Sequence, residues 1–562
     1  MTAAKWVPAS GWVPSYRRAW LRPDLLAGLT IWALVVPEAM AYADIAGVPV
    51  QYGLYAVPLA VVAYLVFGTS RHLVVGPSST VAALSASTVA PVLATGGTVA
   101  DYVALTAALS LLVGAIYLVL GLARMGFVAR FFAKPVLDGF IVGLGLYIAI
   151  GQVPKLVGVE KYDGNSLQQV AHLLTGVADW NGPTVVVGLA SLVALVVLAR
   201  FLPKLPGALI VVVASIVAAK ALGLDDRGVA LVGDVPTGFQ FASWSGVTFD
   251  RVVEMVPGAL AIVVVGFAES VAIAKSYAAK HRYQVDPNQE MIAYGMANVG
   301  SGVLQGYTVS GSLSKSAAAE AAGARSQMVL GVLAGATLLT IALLAGAFRT
   351  LPEATLAAII IVAVAGMIDL RVLKRLADAK VMDFYLALGA MVGVLLWDIL
   401  AGVVIGVVLS LVLLIHRLDT PHVAVLGRNA DGTVYRDVAA HDGYREVPGL
   451  LIYRFDAPLI FTNCDFLVDD LTARVRAAEP PVQRVIVDFE TIEEVDTTGL
   501  DVLVRLAEDL AGEGIALDLA HLRAGVSSFI DRMGVVDRIG RDHIFTTVRE
   551  AVEAGPAPVD PD

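Results

Sequence analysis

The sequence predicts a polytopic α-helical membrane protein with a small α/β domain at its C-terminal end. Of its 562 residues 57% are hydrophobic and only 16% are charged, and the mean hydropathy is +0.76. An ordinary soluble enzyme of this length is much less apolar. The apolar runs stop near His416, and the residues that follow have the polarity of a soluble domain. Two parts are therefore expected, and the larger one lies in the lipid bilayer.

Fourteen apolar segments are predicted to span the membrane, because about 20 apolar residues cross the hydrocarbon core. The first seven spans are placed roughly at 25–45, 51–68, 77–94, 101–121, 127–151, 183–199 and 205–222. The second seven are placed roughly at 256–278, 288–304, 310–322, 325–348, 352–369, 381–397 and 400–417. The predicted transmembrane domain covers residues 23–419 and follows an N-terminal segment of residues 1–22.

The distribution of basic residues orients these spans. Alternate loops carry basic residues such as Arg71, Lys275 and Arg371, whereas the loops between them are mixed or acidic. The positive-inside rule therefore places both termini in the cytoplasm and the chain in the cell (inner) membrane as a multi-pass protein. Lys5 and Arg17 lead into the first span without a signal-peptide cleavage pattern, so the first helix itself is expected to direct insertion.

The two sets of seven spans have related sequences. The stretch from Leu29 to Ala43 aligns without a gap with the stretch from Leu260 to Ala274, and the one acidic residue of each, Glu38 and Glu269, falls at the same place. Because seven is an odd number, the second set enters the membrane upside down. Such inverted repeats are a transporter architecture, with the binding site at the interface of the repeats.

The third and tenth spans predict the binding site. One opens with Gly76-Pro-Ser-Ser-Thr80 and the other with Ser310-Gly-Ser-Leu-Ser314, each after a short extended stretch. Ser78 and Ser312 are predicted N-caps of half-helices that begin at membrane depth. Two such N-termini would together supply about one positive charge to an anion. The alternative is a pair of kinked structural helices. The predicted binding residues of the two segments are Ser78, Ser79, Thr80, Ser310, Gly311 and Ser312.

Four further residues complete the predicted site. Glu38 and Glu269 each lie halfway along a span, where an ionised carboxylate is costly, so each must face a cavity or be protonated. Both are predicted to carry a proton together with the anion, and the alternative is a protonated glutamate between helices. Tyr42 and Lys315 are predicted to line the same cavity, with packing and solvation at the membrane edge as their alternatives. Sodium coupling is less favoured, because Ile273, one turn beyond Glu269, offers no oxygen ligand.

Composition excludes several other classes of function. The net charge of −10 argues against a nucleic-acid partner. Cys464 is the single cysteine, and without a Cys/His cluster of zinc-ligand spacing neither a metal nor a cofactor is expected. The segment from Gly306 to Ser316 lacks the Gly-Lys-Ser/Thr ending of a phosphate loop, so an ATP-driven pump is disfavoured. Nothing in the sequence supports an enzyme.

Beyond a predicted linker at 420–443, the pattern changes to that of a soluble α/β domain at 444–555, followed by a tail at 556–562. Strands are predicted at 450–455, 484–489 and 515–519, and amphipathic helices at 465–478 and 500–513, on one side of a small sheet. Asp496 and Thr497 lie at a strand-to-helix turn and are candidate regulatory residues. Helix capping alone is the alternative role for both.

Taken together, the motifs of the apolar part resemble the SulP sulfate permease family, and Val495-Asp-Thr-Thr-Gly499 resembles the signature loop of a STAS domain. The motifs are Pro37-Glu-Ala-Met-Ala-Tyr-Ala43, Gly76-Pro-Ser-Ser79, Glu269-Ser-Val-Ala-Ile-Ala-Lys275, Asn288-Gln-Glu290 with Gly295 and Asn298, and Ser310-Gly-Ser-Leu-Ser-Lys-Ser316. The resemblance implies core and gate domains, elevator-like alternating access, a homodimer, and a substrate between spans one, three, eight and ten. In soluble STAS relatives a hydroxyl of the signature loop can be phosphorylated, so a cytoplasmic partner that binds this domain is also expected.

Two positions depart from the family pattern. The first-span motif often has Gln where this chain has Glu38, which favours proton symport. The tenth span usually has Arg where this chain has Lys315, which keeps the charge but loses bidentate recognition of an anion.

The resulting hypothesis is a secondary active transporter of small oxyanions, with sulfate as the first candidate and a proton as the coupled ion. Bicarbonate or a dicarboxylate is the alternative substrate, because helix N-termini bind all of these by the same physics. An anion channel on the same scaffold and a receptor that signals through its STAS domain are alternative classes.

Overall fold

The computed structural model describes residues 6–93, 96–127, 133–162, 164–202 and 205–555. The chain divides into two compact units, Met1–Ser410 and Leu411–Asp562. Each unit has its own hydrophobic core.

The first unit is helical, and each of the fourteen predicted spans corresponds to a helix or a broken helix. From the N-terminus the elements are α1 (Ala9–Trp12), α2 (Arg18–Ile45), α3 (Val50–Tyr55), α4 (Pro58–Phe67), β1 (Val74–Pro77), α5 (Ser79–Leu93), α6 (Val99–Leu122), α7 (Lys134–Val157), α8 (Ser166–Thr175), α9 (Gly182–Phe201) and α10 (Gly207–Leu222). There follow α11 (Phe249–Glu254), α12 (Val256–His281), α13 (Pro287–Val303), β2 (Val309–Ser312), α14 (Leu313–Ala321), α15 (Met328–Leu339), α16 (Glu353–Ala365), α17 (Leu370–Ala379), α18 (Val381–Leu396) and α19 (Ile399–Asp419).

The lengths of these helices agree with a polytopic membrane protein. Within the described residues, nine helical segments are long and apolar enough to cross a bilayer, and α5, α10 and α18 are shorter apolar helices. The fifth predicted span differs: α7 begins at Lys134 rather than at 127, and residues 128–132 of that prediction lie outside the described residues. The amphipathic helices α8 and α17 were not predicted, because each is short and buries only two or three of its residues.

Two features of α13 fix the surroundings of the third span. At the crossing of α6 and α13 a methyl group on Gly114 would lie 2.9 Å from Gly295 O, so only glycine permits this approach of the two backbones. The buried carboxylate of Glu290 accepts hydrogen bonds from Tyr64 Oη, from Thr69 N and Oγ1, and from Ser70 N, over 2.6–3.1 Å. The loop that leads into β1 is thereby held against α13.

The second unit is a six-stranded sheet covered by helices. Its strands are β3 (Val423–Arg428), β4 (Tyr435–Asp437), β5 (Leu450–Phe455), β6 (Arg484–Asp488), β7 (Ala516–Ala520) and β8 (Ile544–Phe545), in the order β4-β3-β5-β6-β7-β8. The strands from β5 to β8 are parallel, and β3 pairs antiparallel with β5 and with β4. The helices are α20 (Cys464–Ala477), α21 (Thr497–Gly512), α22 (Ala524–Arg532), α23 (Val535–Ile539) and α24 (Val548–Glu553). The three predicted strands and two predicted helices are all present.

Two details differ from the sequence-based expectation. The segment predicted as a linker contains β3 and β4, and Ala424 and Leu426 of β3 are buried. The glycines and charges of this segment obscure a short alternating strand pattern, and β3 is stabilised by pairing with β4 and β5. The helices also do not all lie on one side, because Val548 and Ala551 of α24 pack with Ala424 and Leu426 on the opposite face of the sheet.

A fragment that begins at Thr420 is expected to be more stable than one that begins at Tyr444. The shorter fragment loses β3 and exposes Ile452 and Ile486, which the longer fragment buries. Fully burying one such side chain contributes roughly 1.5–3 kcal/mol, so a difference of about 3 kcal/mol or more in the free energy of unfolding is expected. Urea unfolding of both fragments, followed by circular dichroism, measures this difference. Equal stabilities would contradict a structural role for β3.

The thiol of Cys464 is expected to react slowly in the folded protein. The residue is 2% exposed, and burial, with smaller effects of Asp496 and Asp465, raises the pKa of its thiol to about 11. Because the thiolate is the nucleophile, a raised pKa leaves little reactive form at neutral pH. A maleimide should therefore label this cysteine in the unfolded protein but not in the folded protein. Rapid labelling of the native chain would contradict the burial of this thiol.

Candidate anion-binding site

The site is organised by a short β-ribbon between the two broken helices. β1 and β2 pair antiparallel, with Gly76 opposite Ser310 and Val75 opposite Gly311. Since α5 continues from β1 and α14 continues from β2, the half-helices leave the ribbon at opposite ends, each with its N-terminus at the ribbon. The first N–H groups of a helix have no acceptor within it, and they carry the positive end of its dipole.

The predicted polar residues of both half-helices come together at this ribbon. Their exposed fractions are 8% for Ser78 and Ser79 and 2% for Thr80 and Ser310; Gly311 is also buried, and Ser312 is half-buried. Ser312 is the N-cap of α14, although its Oγ accepts from Lys315 N over a long 3.5 Å. Ser78 immediately precedes α5, and its carbonyl accepts from Ala82 N at 3.0 Å.

Three side chains bind the backbone of the ribbon, and the sequence-based prediction did not assign them to the site. Asn298 of α13 accepts from Val309 N at 3.0 Å and donates to Val309 O at 3.1 Å. Ser316 Oγ accepts from Val74 N at 2.9 Å, and Ser270 Oγ accepts from Gly311 N at 2.8 Å. Each is a polar side chain on the buried face of a helix, and that position is the sequence signal that could have identified them.

A buried ion pair joins the first span to the tenth. Lys315 Nζ lies 2.8 Å from Glu38 Oε2 and donates a hydrogen bond of 2.8 Å to Pro77 O. The contact with Glu38 is an ion pair without the alignment of a hydrogen bond. Lys315 is 1% exposed and Glu38 6%, so Lys315 is not the solvated lysine of the alternative interpretation. The ring centre of Tyr42 lies 5.4 Å from the same ammonium, within the range of a cation–π contact.

The second carboxylate approaches the ribbon from α12. The carboxyl group of Glu269 lies in the neighbourhood of Lys315 and Thr80. Glu269 Oε2 and Ser310 Oγ are buried, and neither has a hydrogen-bond partner among the described residues. Buried polar atoms are nearly always paired in folded proteins, so two unpaired atoms at one ribbon call for a polar ligand or water.

The ribbon also leaves space for a ligand. Gly76 is buried, yet a methyl group added to it would meet no atom within 4 Å. A small molecule can therefore approach the backbone of β1 closely. Glu38 in addition lines a cavity of about 290 Å³ whose other walls are apolar residues of α9, α10 and α16. The ion pair with Glu38 offsets the positive charge that Lys315 brings to the site.

The STAS-like signature loop has a clear structural function. Asp496 is the N-cap of α21, where its Oδ1 accepts from Gly499 N at 2.7 Å and its Oδ2 accepts from Phe461 N at 2.8 Å. Thr497 is exposed in the first turn of the same helix. Capping by Asp496 is thus present, and the regulatory function of both residues stays a prediction.

Comparison with protein families agrees with this architecture. Residues 21–390 match the model of the sulfate permease family, and residues 444–551 match the STAS domain. The chain belongs to the sulfate permease family. Members of this family are transporters and not enzymes. The match of the family model spans both broken helices, and the STAS match spans β5 to α24.

Two sequence relatives and one solved structure cover at least 98% of this sulfate permease family member. A probable sulfate transporter of Mycobacterium tuberculosis is 34% identical over 99% of both chains. The probable sulfate transporter 4.2 of Arabidopsis thaliana is 31% identical over 98% of this chain and 84% of its own. Murine solute carrier 26 member A9, an anion transporter solved in the inward-facing state, matches with a TM-score of 0.89 and 24% identity over 98% of this chain and 93% of its own. The transmembrane domain of the cyanobacterial bicarbonate transporter BicA matches with a TM-score of 0.60 and 19% identity over 70% of this chain and 98% of its own.

Proposed function

We propose that this protein is a secondary active transporter of small oxyanions, with sulfate as the first candidate substrate. The observation that carries the proposal is the buried ammonium of Lys315 between the N-terminal ends of two half-helices. The names of the full-length relatives as sulfate transporters support the same substrate class.

Proton coupling follows from competition for one lysine. When Glu38 is ionised, its carboxylate pairs with the ammonium of Lys315, and an incoming anion must displace this carboxylate. A proton on Glu38 removes that competition and frees the ammonium for the anion. Proton and anion then bind together, which is the requirement for symport. Glu269, which shares the electrostatic influence of Lys315, is the second candidate for a proton.

The charge of the site suits a dianion once both glutamates are neutral. Two helix N-termini contribute about one positive charge, and Lys315 contributes another. Sulfate matches this total, whereas ionised Glu38 would leave a surplus of negative charge. The hydroxyls of Ser79, Thr80 and Ser310 and the backbone N–H groups of the half-helices would donate hydrogen bonds to the anion.

The movement that exposes the site to each side is proposed to be elevator-like alternating access. In this mechanism α2, α5, α12 and α14 move together with the anion past α7 and α16.

The family resemblance supports three further proposals. The protein forms a homodimer, it lies in the inner membrane with both termini in the cytoplasm, and a cytoplasmic partner binds its STAS domain at Asp496 and Thr497. The transmembrane domain is proposed to cover residues 23–419. The second domain, proposed from the sequence as residues 444–555, is extended towards the N-terminus to include β3 and β4.

Bicarbonate or a dicarboxylate is the alternative substrate, and an anion channel is the alternative mechanism. The shared fold of the bicarbonate transporter's transmembrane domain favours testing bicarbonate first. Helix N-termini and a lysine can bind all of these anions, although bicarbonate, as a monoanion, would leave about one positive charge of the site unmatched.

Uptake into proteoliposomes tests the proposal. Labelled sulfate should accumulate against its gradient when the outside is acidic, and a proton ionophore should abolish this accumulation. Excess unlabelled bicarbonate and dicarboxylates measure substrate preference in the same assay. Currents far above carrier turnover would indicate a channel, and binding without flux would contradict transport.

A further inference from the structure

A cluster of three charged side chains lies away from the site, at the end of α2 that is opposite the N-terminus. Lys155 of α7 pairs with Asp44 of α2, and its Nζ also lies 3.5 Å from Glu353 Oε2 of α16. Gln152 Nε2 lies 3.4 Å from Asp44 Oδ2 and completes the cluster. One lysine thus connects three spans.

The Asp44–Lys155 pair separates two cavities. One, of about 340 Å³, is bounded by α5 and α7, and the other, of about 380 Å³, by the loop after α2 and by α16; both are lined by Asp44 and Lys155. The first cavity reaches Ala83, one turn beyond the start of α5, where Ser79 and Thr80 lie. The ion pair therefore borders the cavity that extends along α5 towards the candidate site.

The two ion pairs of Lys155 join α7 to different helices, to α16 through Glu353 and to α2 through Asp44. α7 and α16 pack closely along their length, and a methyl group on Gly145 of α7 would lie 3.4 Å from Val364 O of α16. The Lys155–Glu353 contact lies within this pair of helices. Asp44, by contrast, is on the helix that carries Glu38, about 9 Å further along its axis. A movement of α2 with the bound anion must break the Asp44–Lys155 bond.

We propose that Lys155 is the gate lysine on this side of the protein: bound to Asp44 it closes the path to the anion site, and it releases Asp44 in every transport cycle. The inference rests on the proposed alternating access. The side chains of Lys155, Asp44 and Glu353 are 36%, 24% and 37% exposed. Because solvent screens such pairs, the contact is weak enough to break and reform repeatedly. Glu353 keeps the lysine in place on α7 and α16 while α2 moves away.

Cross-linking tests which bond must open. In a chain that carries Cys464→Ser, the pair Asp44→Cys and Lys155→Cys is joined by a short bifunctional thiosulfonate, and sulfate uptake is measured before and after reduction. Uptake should be lost on cross-linking and regained on reduction. The matched control joins Lys155→Cys to Glu353→Cys on the two helices that stay together. In this variant uptake should be the same before and after cross-linking.

Several outcomes would overturn the gate. Continued uptake after the 44–155 cross-link would show that the pair need not separate, and loss of uptake after the 155–353 cross-link would show that α7 and α16 move apart. If the cysteine pair itself lowers uptake, the distance between spin labels at Ile45 and Val159 is measured instead, because these positions leave all three charged side chains intact. A single distance between them under both directions of the proton gradient would contradict the gate, and two exchanging distances would support it. Absence of uptake by the unmodified chain would contradict the proposed function instead.

Discussion

Replacing Lys315 by methionine is expected to reduce sulfate uptake by roughly a hundredfold or more. The substitution removes the ammonium from the anion site and leaves Glu38 buried without its partner. Truncating one partner of a buried charge pair costs about 2–5 kcal/mol of binding free energy, and each 1.4 kcal/mol corresponds to about a factor of ten. Initial rates of labelled sulfate uptake in proteoliposomes measure the effect.

Two further variants separate anion binding from folding. The double variant with Glu38→Gln and Lys315→Met removes both members of the ion pair, so the chain should elute as a folded protein in size-exclusion chromatography but still transport no sulfate. Lys315→Arg keeps the charge and should retain part of the uptake, since its planar group requires a different geometry. The exposed Lys275 supplies the matched control, because Lys275→Met should leave uptake unchanged. Normal uptake by Lys315→Met would remove this lysine from the site.

Replacing Glu38 by glutamine is expected to uncouple transport from the proton gradient. If Glu38 carries the coupled proton as proposed, acidity on the side of the anion releases Lys315, and uptake by the native chain should increase. With one proton per anion, each pH unit across the membrane raises the accumulation ratio up to about tenfold, or about 1.4 kcal/mol. Glutamine cannot take up the proton and does not hold Lys315 as an ion pair. The variant should therefore bind sulfate at all pH values but equilibrate it without accumulation.

The same measurement on Glu269→Gln assigns the proton. If Glu38 carries it, Glu269→Gln keeps a response to the gradient while Glu38→Gln loses it. A Glu38→Gln variant that still accumulates sulfate with native pH dependence would contradict coupling through Glu38, and loss of the response in Glu269→Gln alone would move the proton to α12.

Much of the architecture was predictable from the sequence, because span length and hydropathy are local properties. The broken third and tenth spans could be recognised from glycine, proline and serine at their starts, and Glu38 and Glu269 from a carboxyl group in an apolar stretch. The strands of the second unit were predicted from short apolar runs. β3 and β4 were not, since strands this short become evident only through the neighbours with which they pair.

The sequence by itself therefore determined that this protein spans a membrane, that two helices are interrupted at corresponding places, and which polar side chains are too costly to bury without a function. Only the tertiary structure decided which of those side chains meet. The pairing of Glu38 with Lys315, the antiparallel ribbon of β1 and β2, and the bonds of Lys155 to Asp44 and Glu353 all join residues from distant spans. The physical reason is that hydropathy is read within one helix, whereas an ion pair depends on how separate helices pack, which no single segment encodes.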